Sequence, residues 1–240
     1  SASVAGTVRF IEDSAPELKL AGEWSGLRWP LMDAATVESP YGAFSVAGSL
    51  PYSFDVRASA SAPDLPAADF TAAGSADRER VVLDRFDGQL MGGRLQGSGR
   101  LSWTGEQRWN ARLEGQRLDI ATVRPDLPGR VTFAGTVEGR GFTPAAPWTV
   151  RLASLSGTVR GRALTGRGEV AHRNGTYDLR RVRIATGSSH VDVDGRWGPS
   201  IDLRWNADVR QLSLLHPDLK GELLSSGHAR GSPTRPEASG

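Results

Sequence analysis

Apolar and polar positions alternate with a period of two along most of this chain, and no stretch carries a helical period long enough to cover the apolar side. The clearest segment is Trp109-Asn110-Ala111-Arg112-Leu113-Glu114-Gly115. Trp109, Ala111, Leu113 and Gly115 project one way, and Asn110, Arg112 and Glu114 the other. The same alternation predicts strands through Leu18, Leu20, Gly22 and Trp24, through Phe44, Val46, Gly48 and Leu50, and through Tyr52, Phe54, Val56 and Ala58. It returns at Leu95, Gly97, Gly99, Leu101 and Trp103, at Val131, Phe133, Gly135 and Val137, and at Trp148, Val150 and Leu152. The last runs are Leu164, Gly166, Gly168 and Val170, then Val191, Val193, Gly195 and Trp197, then Ile201, Leu203, Trp205, Ala207 and Val209. The interleaved residues are mostly Arg, Glu, Asp, Ser, Thr or Asn, as in an antiparallel sheet with one wet face. The runs predict strands of about seven residues, roughly 23 Å each.

The chain also repeats itself. Arg108-Trp109-Asn110-Ala111 returns unchanged as Arg204-Trp205-Asn206-Ala207. Behind them, Pro125-Asp126-Leu127-Pro128-Gly129 returns as Pro217-Asp218-Leu219-Lys220-Gly221, with an earlier relative at Pro63-Asp64-Leu65-Pro66-Ala67. This is repeat architecture: several strands, an apolar patch able to form a helical turn (Leu118 to Ala121, Leu212 to Leu215), then a Pro-Asp-Leu turn. The turns are unevenly spaced, which an open stack tolerates and a closed barrel does not. On this reading residues 1–240 are one continuous segment with units at about 1–67, 68–129 and 130–221, and the start of a further unit at 222–240.

Composition narrows the picture. At 240 residues and 38% hydrophobic, the chain can build a real core and is globular. Twenty-nine basic against 27 acidic residues leave a net charge of +2, too weak a field to imply nucleic acid. Only Lys19 and Lys220 are lysines, a bias toward Arg that points to genome composition rather than binding. The absence of cysteine excludes disulfides, thiolate metal sites and cysteine nucleophiles. With no start methionine, signal peptide or membrane-spanning apolar run, the sequence reads as a piece of a longer protein.

The order of these motifs resembles the TamB family, AsmA-like envelope proteins of Gram-negative bacteria. Phe86-Asp87-Gly88-Gln89-Leu90-Met91-Gly92-Gly93-Arg94-Leu95, followed by Gly97-Ser98-Gly99-Arg100-Leu101-Ser102-Trp103, is similar to the family's Gly-Leu-x-Gly-Gly-x-Leu-x-Gly-x-Gly strand pair. The Trp109 to Leu113 strand, the Leu118-Asp119 step and the Leu127-Pro128-Gly129 turn follow in the family's order. The stretch from Gly221 to Gly240 is similar to the start of a next unit. The resemblance is clearest from about Val81 onward and weak over residues 1–45.

The resemblance implies an all-β fold, a long curved antiparallel half-pipe with an apolar interior and few or no helices. It implies a periplasmic segment of a protein held in the inner membrane by an N-terminal anchor. It also implies an Omp85-class outer-membrane partner, TamA-like, met through parts of the protein outside this chain. Phospholipid acyl chains suit an apolar trough, because hydrocarbon leaving water gains about 0.8 kcal/mol per CH₂ and needs no directional partner. The expected lining is Leu20, Trp24, Phe44, Val46, Leu50, Phe54, Val56, Leu95, Leu101, Trp103, Trp109 and Leu113. It continues through Val131, Phe133, Val137, Trp148, Val150, Leu152, Leu164, Val170, Val191, Val193, Trp197, Ile201, Leu203, Trp205 and Val209. The residues alone leave other arrangements open: a two-sheet sandwich burying the same positions, a transmembrane barrel, or a groove holding unfolded outer-membrane strands by β-augmentation.

No motif asks for catalysis, a cofactor or a metal. His172, His190, His216 and His228 are scattered, and Asp192 and Asp194 beside His190 share the polar face of a strand. Gly-x-Ser-x-Gly is missing, Gly97 and Gly99 begin no dinucleotide loop, and Asn174-Gly175 inside a glycosylation sequon is first a hairpin turn.

Overall fold

The computed structural model describes residues 1–29, 37–62, 65–143, 145–212 and 220–239. Its strands form one 16-stranded sheet whose order is the order of the chain. By compactness the chain divides into two units, Ser1–Pro125 and Asp126–Gly240, so the boundary falls in one of the Pro-Asp-Leu turns.

Unit 1 holds β1 (Ala2–Arg9), β2 (Glu17–Trp29), β3 (Val37–Gly48), β4 (Tyr52–Ala62), β5 (Leu65–Ala76), β6 (Arg80–Leu90), β7 (Gly93–Ser102) and β8 (Arg108–Asp119). Beyond β8 a short 3₁₀ turn, Ile120–Thr122, is capped by the Asp119 carboxylate, which accepts from the Ala121 N–H. Unit 2 holds β9 (Gly129–Arg140), β10 (Trp148–Val159), β11 (Arg162–Arg173), β12 (Thr176–Thr186), β13 (Ser189–Trp197), β14 (Ile201–Val209), β15 (Leu223–Ser232) and β16 (Arg235–Ser239). Every recorded strand pairing within a unit is antiparallel and joins sequence neighbours, as hairpin connections require.

In the two-residue hairpins Met91-Gly92, Arg160-Gly161 and Asn174-Gly175 both residues of each connection have positive φ. That backbone matches the right-handed twist of the flanking strands. The Asn-Gly pair is therefore a turn, as its type predicts.

All the strands but β16 are longer than the seven residues expected, with β2 reaching 13 and β8 reaching 12. Ladders are extended by backbone hydrogen bonds, which continue through positions such as Ser59-Ala60-Ser61 or Gln116-Arg117 where the hydrophobic period has already faded. Strand length therefore does not separate this sheet from a barrel. Its open order does, because β1 and β16 are the two ends of the order. The alternative two-sheet sandwich is not formed among the described residues, since strand contacts of any extent join sequence neighbours rather than two facing layers. Pro63-Asp64, Pro217-Asp218-Leu219, Ser213-Leu214-Leu215 and His216 lie outside the described residues.

Candidate functional site

In an antiparallel ladder, directly paired residues share a face, so the register of successive strands traces rows across each unit. In unit 1 one row runs Gly6, Leu20, Val46, Phe54, Gly74, Leu83, Gly99, Ala111. Its neighbour runs Val4, Gly22, Phe44, Val56, Ala72, Phe86, Gly97, Leu113. A third runs Ala2, Trp24, Gly42, Ala58, Phe70, Gly88, Leu95, Gly115. Each crosses all eight strands of the unit without a charged or hydrogen-bonding side chain, save the indole N–H of Trp24. Toward the opposite rim Val81, Leu101 and Trp109 stand in register.

Unit 2 repeats the pattern. Val137, Val150, Val170, Leu179, Gly195, Leu203, Ala229 and Ala238 form one row over its eight strands. Phe133, Leu155, Gly166, Ile184, Val191 and Ala207 form another. Leu152 pairs with Gly135 and Gly168, while Val193 pairs with Val182 and Trp205. Val131 and Leu164 both face Gly157, and Ile201 and Val209 close the two ends of β14. Trp148, His172, Tyr177 and Trp197 line one rim in consecutive pairs.

Among the described residues nothing in the unit forms a lid over these faces. No side chain among the described residues is fully buried, and most apolar-face positions are half-buried, with Val150, Ile184 and Trp197 more than 40% exposed. Neighbouring rings shelter one another instead: Phe70 and Phe86 stack with centroids 5.5 Å apart, and His172 and Tyr177 lie 4.9 Å apart.

Two expected lining residues fall outside the rows. Leu50 sits in the connection between β3 and β4, and Trp103 just past β7, its indole N–H donating to the Arg78 carbonyl at 2.8 Å. Phe70, Val81, Leu83, Phe86, Leu155, Tyr177, Leu179, Val182 and Ile184 join the faces without having been expected there. Most lie beside β-bulges, where the period of two breaks.

The opposite face carries the charge. Across β12 to β16 one row reads Asp178, Arg196, Asp202, Arg230, Glu237, alternating in sign. Glu169 is bracketed by Arg151 at 2.7 Å and Arg180 at 3.1 Å, and the hydrogen bond from Arg151 holds its carboxyl below the usual range. Asp202 is lowered chiefly by its hydrogen bond to His228. Asp69 and Asp87 line a depression of about 370 Å³ with Arg57 and Gln89. Asp69 accepts from the Tyr41 hydroxyl at 2.7 Å and Asp87 from Arg94, and each contact lowers the carboxyl. Among the described residues, no three His, Asp or Glu side chains gather as a metal site, and no helix is long and apolar enough to cross a membrane.

A profile described as the TamB N-terminal domain matches residues 1–239. The chain belongs to the TamB family. Neither a curated protein nor a solved structure gives a match. TamB proteins are transport and assembly modules of the bacterial envelope, and the open antiparallel sheet with an apolar face fits such a module. In this TamB segment the weakly resembling residues 1–45 fall inside the matched range.

Proposed function

We propose that this TamB module carries phospholipids, with acyl chains lying along its apolar face and head groups in water, between the inner and outer membranes across the periplasm. It thereby supports outer-membrane and autotransporter assembly. The full-length protein is held in the inner membrane by an N-terminal anchor and works with an Omp85-class, TamA-like partner through regions outside this chain. The reading rests on one observation: unbroken apolar rows eight strands wide on a face that no described residue of its unit covers. Eight strands at about 4.8 Å spacing extend such a row roughly 34 Å. A wall without hydrogen-bonding groups rewards burial of each methylene about equally, so a chain is held yet free to slide. No residue is asked to do chemistry.

Native mass spectrometry with lipid extraction, on the chain purified without detergent from a Gram-negative periplasm, tests this. Stoichiometric phospholipid supports the conduit. A lipid-free monodisperse monomer overturns it, and co-purifying unfolded outer-membrane strands replace it with a strand-holding role.

A further inference from the structure

The same three-residue arrangement occurs once in each unit. In unit 1 Trp24 pairs directly with Gly42 on the next strand, and its indole N–H donates to the Ser39 hydroxyl at 2.9 Å. In unit 2 Trp205 pairs with Gly227 on the next strand, and its indole N–H donates to Ser225 at 2.9 Å. Each tryptophan therefore reaches across to a glycine and is tied by hydrogen bond to a serine on that same strand.

The glycines are occupied by the rings. A methyl group on Gly42 would meet Trp24 ring atoms at 2.0, 2.3 and 2.5 Å, with no backbone atom nearer than these. On Gly227 it would meet the Trp205 ring at 2.6 Å and the Ser239 carbonyl at 2.7 Å. An indole over a cross-strand glycine lies down along the sheet, whereas a side chain in an ordinary pair stands away from it. Both rings belong to apolar rows, so their posture sets how far the wall rises into the trough.

We infer that Trp24–Gly42–Ser39 and Trp205–Gly227–Ser225 are latches that hold the two largest wall residues of their rows flat and so set the clearance for an acyl chain. Glycine removes the atom that would lift the ring, and serine supplies the one directional contact that keeps the indole from swinging outward. The lipid-conduit reading is assumed here, and the latches are the residues that fix what bulk of hydrocarbon the face admits.

Two single variants separate the parts. Gly42→Ala adds a methyl whose three nearest neighbours are all Trp24 ring atoms, at a residue without positive φ. Ser225→Ala removes the hydroxyl that Trp205 uses and adds no bulk. The 240-residue chain is labelled with fluorotryptophan, and the Trp24 and Trp205 resonances are assigned by W24F and W205F. Loading is measured with a pyrene-labelled diacyl phospholipid presented in phosphatidylglycerol vesicles. The expected result is a shifted Trp24 resonance in G42A, a shifted Trp205 resonance in S225A, and weaker loading in both, roughly fourfold for each methylene displaced from the wall. Arg112→Ala, on the polar face, is expected to load as the parent chain does. Unmoved resonances, or displaced rings with unchanged loading, overturn the latch while leaving the conduit standing. A parent chain that takes up no lipid overturns the conduit itself. If G42A fails to fold, S225A alone decides.

Discussion

Leu83 and Phe86 are three residues apart on β6 and project to the same face. Leu83 pairs with Gly74 and Gly99, and Phe86 with Ala72 and Gly97. Asp84 and Arg85 stand opposite the single residue Ser98, a bulge that returns the rest of the strand to the apolar side. Deleting Asp84 leaves Leu83 and Phe86 two residues apart, the spacing at which a regular strand puts both on one face, and makes the ladders to β5 and β7 continuous. The deletion is therefore expected to keep the apolar face and to change stability by no more than about 1 kcal/mol, read as a nearly unchanged denaturant midpoint.

The bulges also explain which parts of the molecule were legible in the sequence. The all-β class, the antiparallel order and most of the apolar face follow from alternation alone, because strands such as β14 keep their period from end to end. On β10 the period holds through Leu152 and resumes only at Leu155, so Leu155 escaped notice. On β12 the step from Leu179 to Val182 hides both residues, Arg181 occupying the bulge at positive φ with its N–H bonded to Asp194. A bulge leaves no hydrophobic mark. It is set by backbone conformation and by what the partner strand presents. Phe70 was missed for another reason: its row-mates on β5, Ala72 and Gly74, are too small to mark a face.

A carboxylate placed in mid-row is expected to stop lipid uptake without unfolding the sheet. Leu113→Asp and Leu203→Asp each set a charge among apolar neighbours on a half-open face. Loading of labelled phospholipid is expected to fall at least about tenfold, with far-UV strand content kept. Arg112→Asp, on the polar face, disturbs only an exposed 3.4 Å pair with Glu114 and is expected to change stability by no more than about 0.5 kcal/mol and loading not at all.

Gly195 is the opposite case to Gly42. It holds φ at +126°, and a methyl there would meet the Asp202 carbonyl at 2.0 Å, a backbone atom that cannot swing aside. Gly195→Ala is expected to destabilise unit 2 by at least about 2 kcal/mol in chemical denaturation.

Acid is expected to loosen the polar face. The carboxyls of Glu169, Asp87 and Asp202 are held below their ordinary values by Arg151, Arg94 and His228. A lowered folded value means the contribution is complete above the unfolded value and is lost as pH falls through the folded one. The thermal midpoint is therefore expected to be level above about pH 5 and to drop below about pH 4. Glu169→Gln is expected to lower the plateau and shrink the drop, measured by thermal melts across that range.

Strand order equal to chain order also governs how the chain reaches its native state. Each strand needs only the one made just before it, so loop closure stays local and contact order low. A chain emerging N-terminus first can therefore fold as it arrives, each hairpin adding to a template already in place. Length is then tunable separately from wall chemistry: one more hairpin adds roughly 10 Å and disturbs no existing pairing inside a unit.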